Sequence, residues 1–120
     1  VFYIQYAHAR ICTILSKSKS HVFKGKANLE LLNSKEEIKL ISNLIEFENI
    51  VIKVADNLEP QLLANYLHEL ASMLHKYYAH NRIISDNKEL YYARIVLIKS
   101  IKVVIYNGLK ILGISCPEKM

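Results

Sequence analysis

Five histidines, two cysteines and eight tyrosines hold most of the chemical potential of this 120-residue chain. His68 and His75, seven positions apart, can share one helix face, with His80 further along. No pair of histidines has the His-Glu-x-x-His spacing of a helical zinc site, so these side chains are expected at the surface or half-buried. Cys12 and Cys116, 104 positions apart, form neither a disulfide framework nor a zinc pattern, and both thiols are expected to be reduced and buried or idle. Phosphate-cradling glycine loops and the Gly-x-Ser-x-Gly elbow are absent. Glu36-Glu37 suits the dipole of a helix start before any acid–base role. The tyrosines are different. In Tyr77-Tyr78 and Tyr91-Tyr92 one member of each pair must point away from the core. Beside Arg82, Arg94 or His80 such a ring could stack on an unpaired base. It could equally rim the core with its hydroxyl in water.

Helices must position these groups, because apolar residues recur with period three to four and seldom alternate. A first helix over about 1–16 aligns Ile4, Ala7, Ile11, Ile14 and Leu15, while Tyr6 and Arg10 share another face. Ser16 to Asn33 is polar and basic and reads as a long loop, with a short helical turn at Asn28 to Leu32. Ser34 and Glu37 form a capping-box signature for a second helix, carrying Leu40, Leu44, Phe47, Val51 and Val54 and widened by Ile38, Ile41 and Ile45. Asp56-Asn57 ends it. Pro60 opens a third helix that buries Leu63, Leu67, Leu70, Leu74 and Tyr77. Asp86 and Asn87 cap a fourth, which runs to about Leu112 before Gly113. Its apolar residues occupy more than one face, as in the central helix of a bundle. The expectation is one all-α domain over 1–120, a bundle of about four main helices with a long basic loop after the first.

At 13.9 kDa, 52% hydrophobic and 22% charged, with three glycines and two prolines, the chain is one domain's worth and no disordered tail or fibre. The apolar stretch Ile95 to Ile105 is broken by Lys99, Ser100 and Lys102, well short of a membrane span. No signal-peptide pattern opens the chain, and Val1 in place of methionine suggests a fragment of something longer. A reducing, cytoplasmic setting is expected. Charge is segregated: five cations and no acid give +5 over 1–29, three lysines against eight acids give −5 over 30–70, and eight cations against three acids give +5 over 71–120. If the two ends meet in the fold, they make a positive face suited to phosphates.

Gln5-Tyr6-Ala7-His8-Ala9-Arg10-Ile11 resembles the QYAHARI segment that opens the C-terminal, DALR-type anticodon-binding domain of arginyl-tRNA synthetases. Further blocks follow in order. Leu58-Glu59-Pro60 with Leu63-Ala64-Asn65-Tyr66-Leu67 and Glu69-Leu70-Ala71 is similar to the family's LEP…LANYLYELA helix. Tyr77 to Ile83 stands where an FYN…RV-like stretch lies, and Ala93-Arg94 with Leu97 fits the AARLAL-type helix. Asn107-Gly108-Leu109, Leu112-Gly113-Ile114 and Pro117-Glu118-Lys119-Met120 resemble the NGL…LLG…PERM ending. The likeness covers the chain, least over 16–57. Departures are Lys119 for arginine, Cys116 for alanine, His68 for tyrosine and Tyr91-Tyr92 for smaller residues. Lys119 keeps the charge without the planar fork. Lys17-Ser18-Lys19-Ser20 resembles the end of the Lys-Met-Ser-Lys-Ser loop of class I synthetases, but it lacks the methionine and follows a helix, so it is expected to be a solvated basic loop.

The resemblance implies a module and not a catalyst. It would hold the anticodon stem-loop of an arginine tRNA for an upstream catalytic domain of the same enzyme, a ligase that uses ATP with magnesium. This segment itself would need no cofactor, no membrane and no second copy. By that likeness Tyr6 would stack on a loop base, Tyr78 and Arg82 would supply a platform and a phosphate contact, and Met120 would lie against the loop. Lys17, Lys19, Lys24 and Lys26 would add sequence-independent affinity. Either His8 or Arg10 is expected to pack between helices, with Arg10 leaning to a structural role; Asn65 and Glu69 could bond across the bundle or to RNA. Two other readings stand beside this one. The tRNA-binding tail of the glycyl-tRNA synthetase β-subunit is a related domain, against which the QYAHAR and PEKM strings argue. A helical protein–protein module would bind without the steep salt dependence of phosphate contacts.

Overall fold

The computed structural model describes residues 2–18, 25–81, 83 and 86–120. Among them are five α-helices, a single 3-10 turn and no strand: α1 (Phe2–Lys17), the turn (Leu29–Leu31), α2 (Lys35–Ile45), α3 (Phe47–Asn57), α4 (Pro60–His80) and α5 (Lys88–Ile111). The all-α expectation holds. The single second helix does not, because the chain turns at Glu46 between α2 and α3. There the Glu46 N–H bonds back to Asn43 and Leu44 carbonyls instead of continuing the ladder. The Tyr66 hydroxyl of α4 donates to the Asn43 carbonyl at 2.7 Å, satisfying a helix-end acceptor from outside. Ile38 and Ile45 are exposed and do not widen the core stripe.

Local signals explain the other boundaries. Ser34 and Glu37 form the reciprocal capping box, and Asn87 accepts from the N–H groups of Glu89 and Leu90. Leu58, at φ 54° and ψ 40°, takes the left-handed conformation that lets the chain turn from α3 into Pro60. Gly113, at φ +74°, ends α5 in a Schellman motif: its N–H reaches Lys110 O at 3.0 Å, and that of Ile114 reaches Leu109 O at 2.9 Å.

The centre is shared by two helices, where periodicity pointed to the last alone. α4 packs on α1, α2, α3 and α5, and α5 packs on α1, α2, α4 and the 3-10 turn. Leu63, Leu67, Leu70 and Leu74 interlock with Ile98, Ile101, Ile105 and Leu109, all essentially without exposed surface. Gly108 permits that close approach, since a Cβ there would fall 2.7 Å from Leu67 Cδ2. An ion pair crosses this core. Glu37, 1% exposed, accepts from the Tyr77 hydroxyl at 2.6 Å and from Arg94 Nε at 3.1 Å, joining α2, α4 and α5. Burial alone would raise the Glu37 carboxyl, but the bonds from Tyr77, Ser34 and Arg94 override it and hold it below the ordinary range. With Tyr77 anchored inward, Tyr78 is left half-buried on the other side of α4.

Candidate nucleic-acid interface

Tyr3, Tyr6, Arg10, Thr13 and Lys17 follow one another at three- and four-residue steps and form one stripe along α1. Beneath it lies an aromatic row on α4. The Tyr3 ring sits 4.8 Å from His68 and 5.0 Å from His75, and Tyr6 stacks on His75 at 5.6 Å with 25° between planes. The Arg10 guanidinium lies 4.1 Å above the Tyr78 ring, and its Nη1 is 3.1 Å from His75 Nδ1. Arginine only donates, so His75 Nδ1 is the acceptor of a neutral ring. Burial, and then the Arg10 charge, lower its pKa accordingly. Tyr6 is therefore braced from below while about half its surface, 49%, faces solvent.

The second wall comes from the other end of the chain. After the Schellman turn, the C-terminal segment runs back along α1. Gln5 Nε2 donates to Ser115 O at 2.8 Å, and His8 Nδ1 meets Pro117 O at 3.2 Å. His8 is buried, and burial lowers its pKa despite the Pro117 bond, so it is a neutral ring with its proton on Nδ1. This brings Lys119 and Met120 beside Tyr6, Ala9, Arg10 and Thr13 around a cleft of about 420 Å³. An adjoining cleft of about 600 Å³ shares Thr13 and Lys119 and adds Ser16, Lys17, Lys102 and Glu118. The basic ends do meet: Arg10, Lys17, Lys102 and Lys119 face the two clefts against one acidic side chain. Cys12 borders the larger cleft, and both cysteines are free thiols. Burial pushes the Cys116 thiol up to about 11, which makes it a poor nucleophile.

Of the residues singled out in the sequence, Tyr6, Arg10 and Met120 come together, with Lys17 at the neighbouring cleft. Tyr78 joins them through Arg10, whose guanidinium lies over its ring. Lys26 is exposed and lines neither cleft; the carbonyl of its neighbour Gly25 accepts from the Tyr92 hydroxyl at 2.7 Å. Lys19, Lys24 and Arg82 lie outside the described residues. His8 is the buried helix-packing member of its motif, and Arg10 serves the fold through Tyr78 and His75 while lining a cleft. Asn65 bonds within its own helix, accepting from Gln61 at 2.9 Å. Tyr3, Gln5, Thr13 and Lys102 were missed. Tyr3 and Thr13 share the spacing of Tyr6 and Arg10 and could have been found from it; Lys102 reaches the cleft only through tertiary packing.

Known proteins resemble the chain over its whole length. A family model described as the DALR anticodon binding domain matches residues 4–120. The chain is 42% identical over 125 residues to an arginine–tRNA ligase of Legionella pneumophila (strain Corby) and 43% over 124 residues to one of Geotalea daltonii. Each match takes in all of this chain but only 21% and 22% of the relative, so the chain spans about one fifth of the curated proteins it matches. Among solved structures, Thermus thermophilus arginyl-tRNA synthetase superposes with a TM-score of 0.87 at 32% identity, covering 98% of this chain and 21% of that one. A putative arginyl-tRNA synthetase from Campylobacter jejuni gives 0.84 at 26% identity, covering 99% of this chain and 26% of that one.

Proposed function

The chain belongs to the DALR anticodon-binding domain family, and from that premise we propose that it grips the anticodon stem-loop of an arginine tRNA. The observation that carries the reading is the braced, half-exposed Tyr6 ring, set between Arg10 and the Lys119–Met120 segment. An unstacked loop base has a π-face to offer such a ring, and phosphates flanking it meet Arg10, Lys17, Lys102 and Lys119. The module works as a single copy in the cytoplasm, joined to an upstream catalytic domain of an arginine–tRNA ligase. ATP and magnesium act in that upstream domain, and no side chain of this bundle is assigned to them. The family match favours this reading over a protein–protein module, and the arginine–tRNA ligase relatives favour it over a glycyl-enzyme tail.

The test is a titration of the chain with the stem-loop, and with a loop carrying a substituted middle cytosine, at roughly 50 and 200 mM salt. Four phosphate contacts, one for each cation lining the clefts among the described residues, imply a loss of roughly 50- to 150-fold in affinity across that fourfold rise. The substituted loop should bind more weakly at both concentrations. Salt-insensitive binding would refute the reading. Equal, salt-sensitive affinity for both loops would reduce it to generic RNA binding.

A further inference from the structure

We propose that Gln5 and His8 are positioning residues that latch the C-terminal segment onto α1 and thereby set Lys119 and Met120 as the far wall of the Tyr6 cleft. This rests on the reading of that cleft as the stem-loop site, and it assigns no RNA contact to either residue. Gln5, His8 and Cys12 lie at three- and four-residue steps on a face of α1 distinct from the Tyr6–Arg10 stripe. Backbone-to-backbone bonding of the chain end stops at Ile114, whose N–H completes the Schellman motif. Beyond it, the hydrogen bonds that hold the segment are those from Gln5 to Ser115 and from His8 to Pro117. Ile114 and Cys116 add partial burial against the core, but apolar packing alone does not fix how far along α1 the next residues fall.

His8 carries the stronger half of the case. Its ring is 2% exposed, and its Nε2 is buried with no partner. An unsatisfied buried acceptor opposes folding, so an apolar residue of similar volume would serve packing at least as well. What the imidazole has and a leucine lacks is the Nδ1–H directed at Pro117 O, with Cys12 Sγ 3.8 Å from the same nitrogen. Gln5 repeats the device one turn earlier, and the two bonds together define both the position and the direction of the segment.

The experiment uses Gln5→Met, His8→Leu and His8→Asn, each in the whole chain and in a chain ending at Glu118. Asparagine places an amide N–H near the position of Nδ1 and omits the Nε2 acceptor. The first readout needs no RNA. The chain has two methionines and Gln5→Met adds a third, so the ¹³C-methyl signal of Met120 is assigned in each chain by its loss on Met120→Leu, and it reports the neighbourhood of the Tyr6 ring. His8→Leu and Gln5→Met should move that signal to its free-chain position, and His8→Asn should restore it. The second readout is stem-loop affinity. The leucine and methionine variants should each weaken binding by roughly 2- to 13-fold, as expected for one lost hydrogen bond. In the shortened chain the same substitutions should change affinity by less than about twofold, because they act through residues already removed. An unmoved Met120 signal overturns the proposal, as do losses equally large in the shortened chain. If His8→Leu does not fold, Gln5→Met decides alone. If the unaltered chain ignores the stem-loop, the site reading fails while the Met120 signal still judges the latch.

Discussion

Tyr6→Ala separates binding from folding. Half of the ring is already in water, so its removal forfeits only part of the roughly 1.5–3 kcal/mol of a fully buried large side chain, on the order of 1 kcal/mol. For a 120-residue domain, that corresponds to a drop of about 4 °C in Tm. The same ring stacked on a base is worth about 1–3 kcal/mol by alanine substitution, or roughly 5- to 150-fold in Kd. Fluorescence anisotropy with a labelled stem-loop measures the second quantity, and a circular dichroism melt measures the first. Tyr6→Phe should bind within about twofold of the unaltered chain, since stacking is kept and only the hydroxyl is lost. Arg10→Ala is the contrast: the guanidinium spans Tyr78 and His75 inside the fold, so its loss should lower Tm and affinity together. A Tyr6→Ala chain that stays folded and binds within about twofold of wild type would refute the stacking argument.

Two further outcomes test the scaffold. Glu37 is held below its ordinary carboxylate range, so its contribution is complete above the unfolded-state value of about 4.3 and is lost as pH falls through the depressed folded one. Glu37→Gln should cost about 2 kcal/mol at pH 7 in urea unfolding and visibly less at pH 3, because it removes a charge-assisted bond; an equal cost at both would remove Glu37 from the acid response. Leu58→Gly should raise the urea midpoint, since a left-handed leucine costs roughly 1–2 kcal/mol and glycine's extra unfolded-state freedom returns only about 0.5–1 of it. Leu58 is 84% exposed and gives up little packing, so a lowered midpoint would contradict the strain argument.

What could be read from the sequence was local. The capping box at Ser34, the proline opening α4, the asparagine cap of α5 and the glycine closing it each act within a few residues, and each marks its boundary. The break at Glu46 left no such mark: Glu46 stays in the right-handed helical region, the apolar steps run through it, and part of its satisfaction comes from Tyr66 on another helix. Glu37 showed its capping role and hid its burial for the same reason, because Tyr77 and Arg94 lie 40 and 57 residues away. The cleft divides likewise. Tyr6 and Arg10 were visible as a helical pair, and Met120 through its resemblance, whereas the contribution of Lys102 and the latching by Gln5 and His8 depend on partners fixed only by the folded chain.

The latch also sets a timetable. Gln5 and His8 wait for partners 110 and 109 residues further along, so at about 5–20 residues per second a ribosome delivers them roughly 5–20 s later. Until then α1 can fold locally on a submicrosecond scale, but its tyrosine faces a cleft with one wall missing. A nascent chain, or one cut short by damaged message, could already form much of the α4–α5 core and still lack the segment that completes the site. The Tyr6 cleft is thus among the last features of this fold to be completed, because Lys119 and Met120 lie beyond both latching carbonyls.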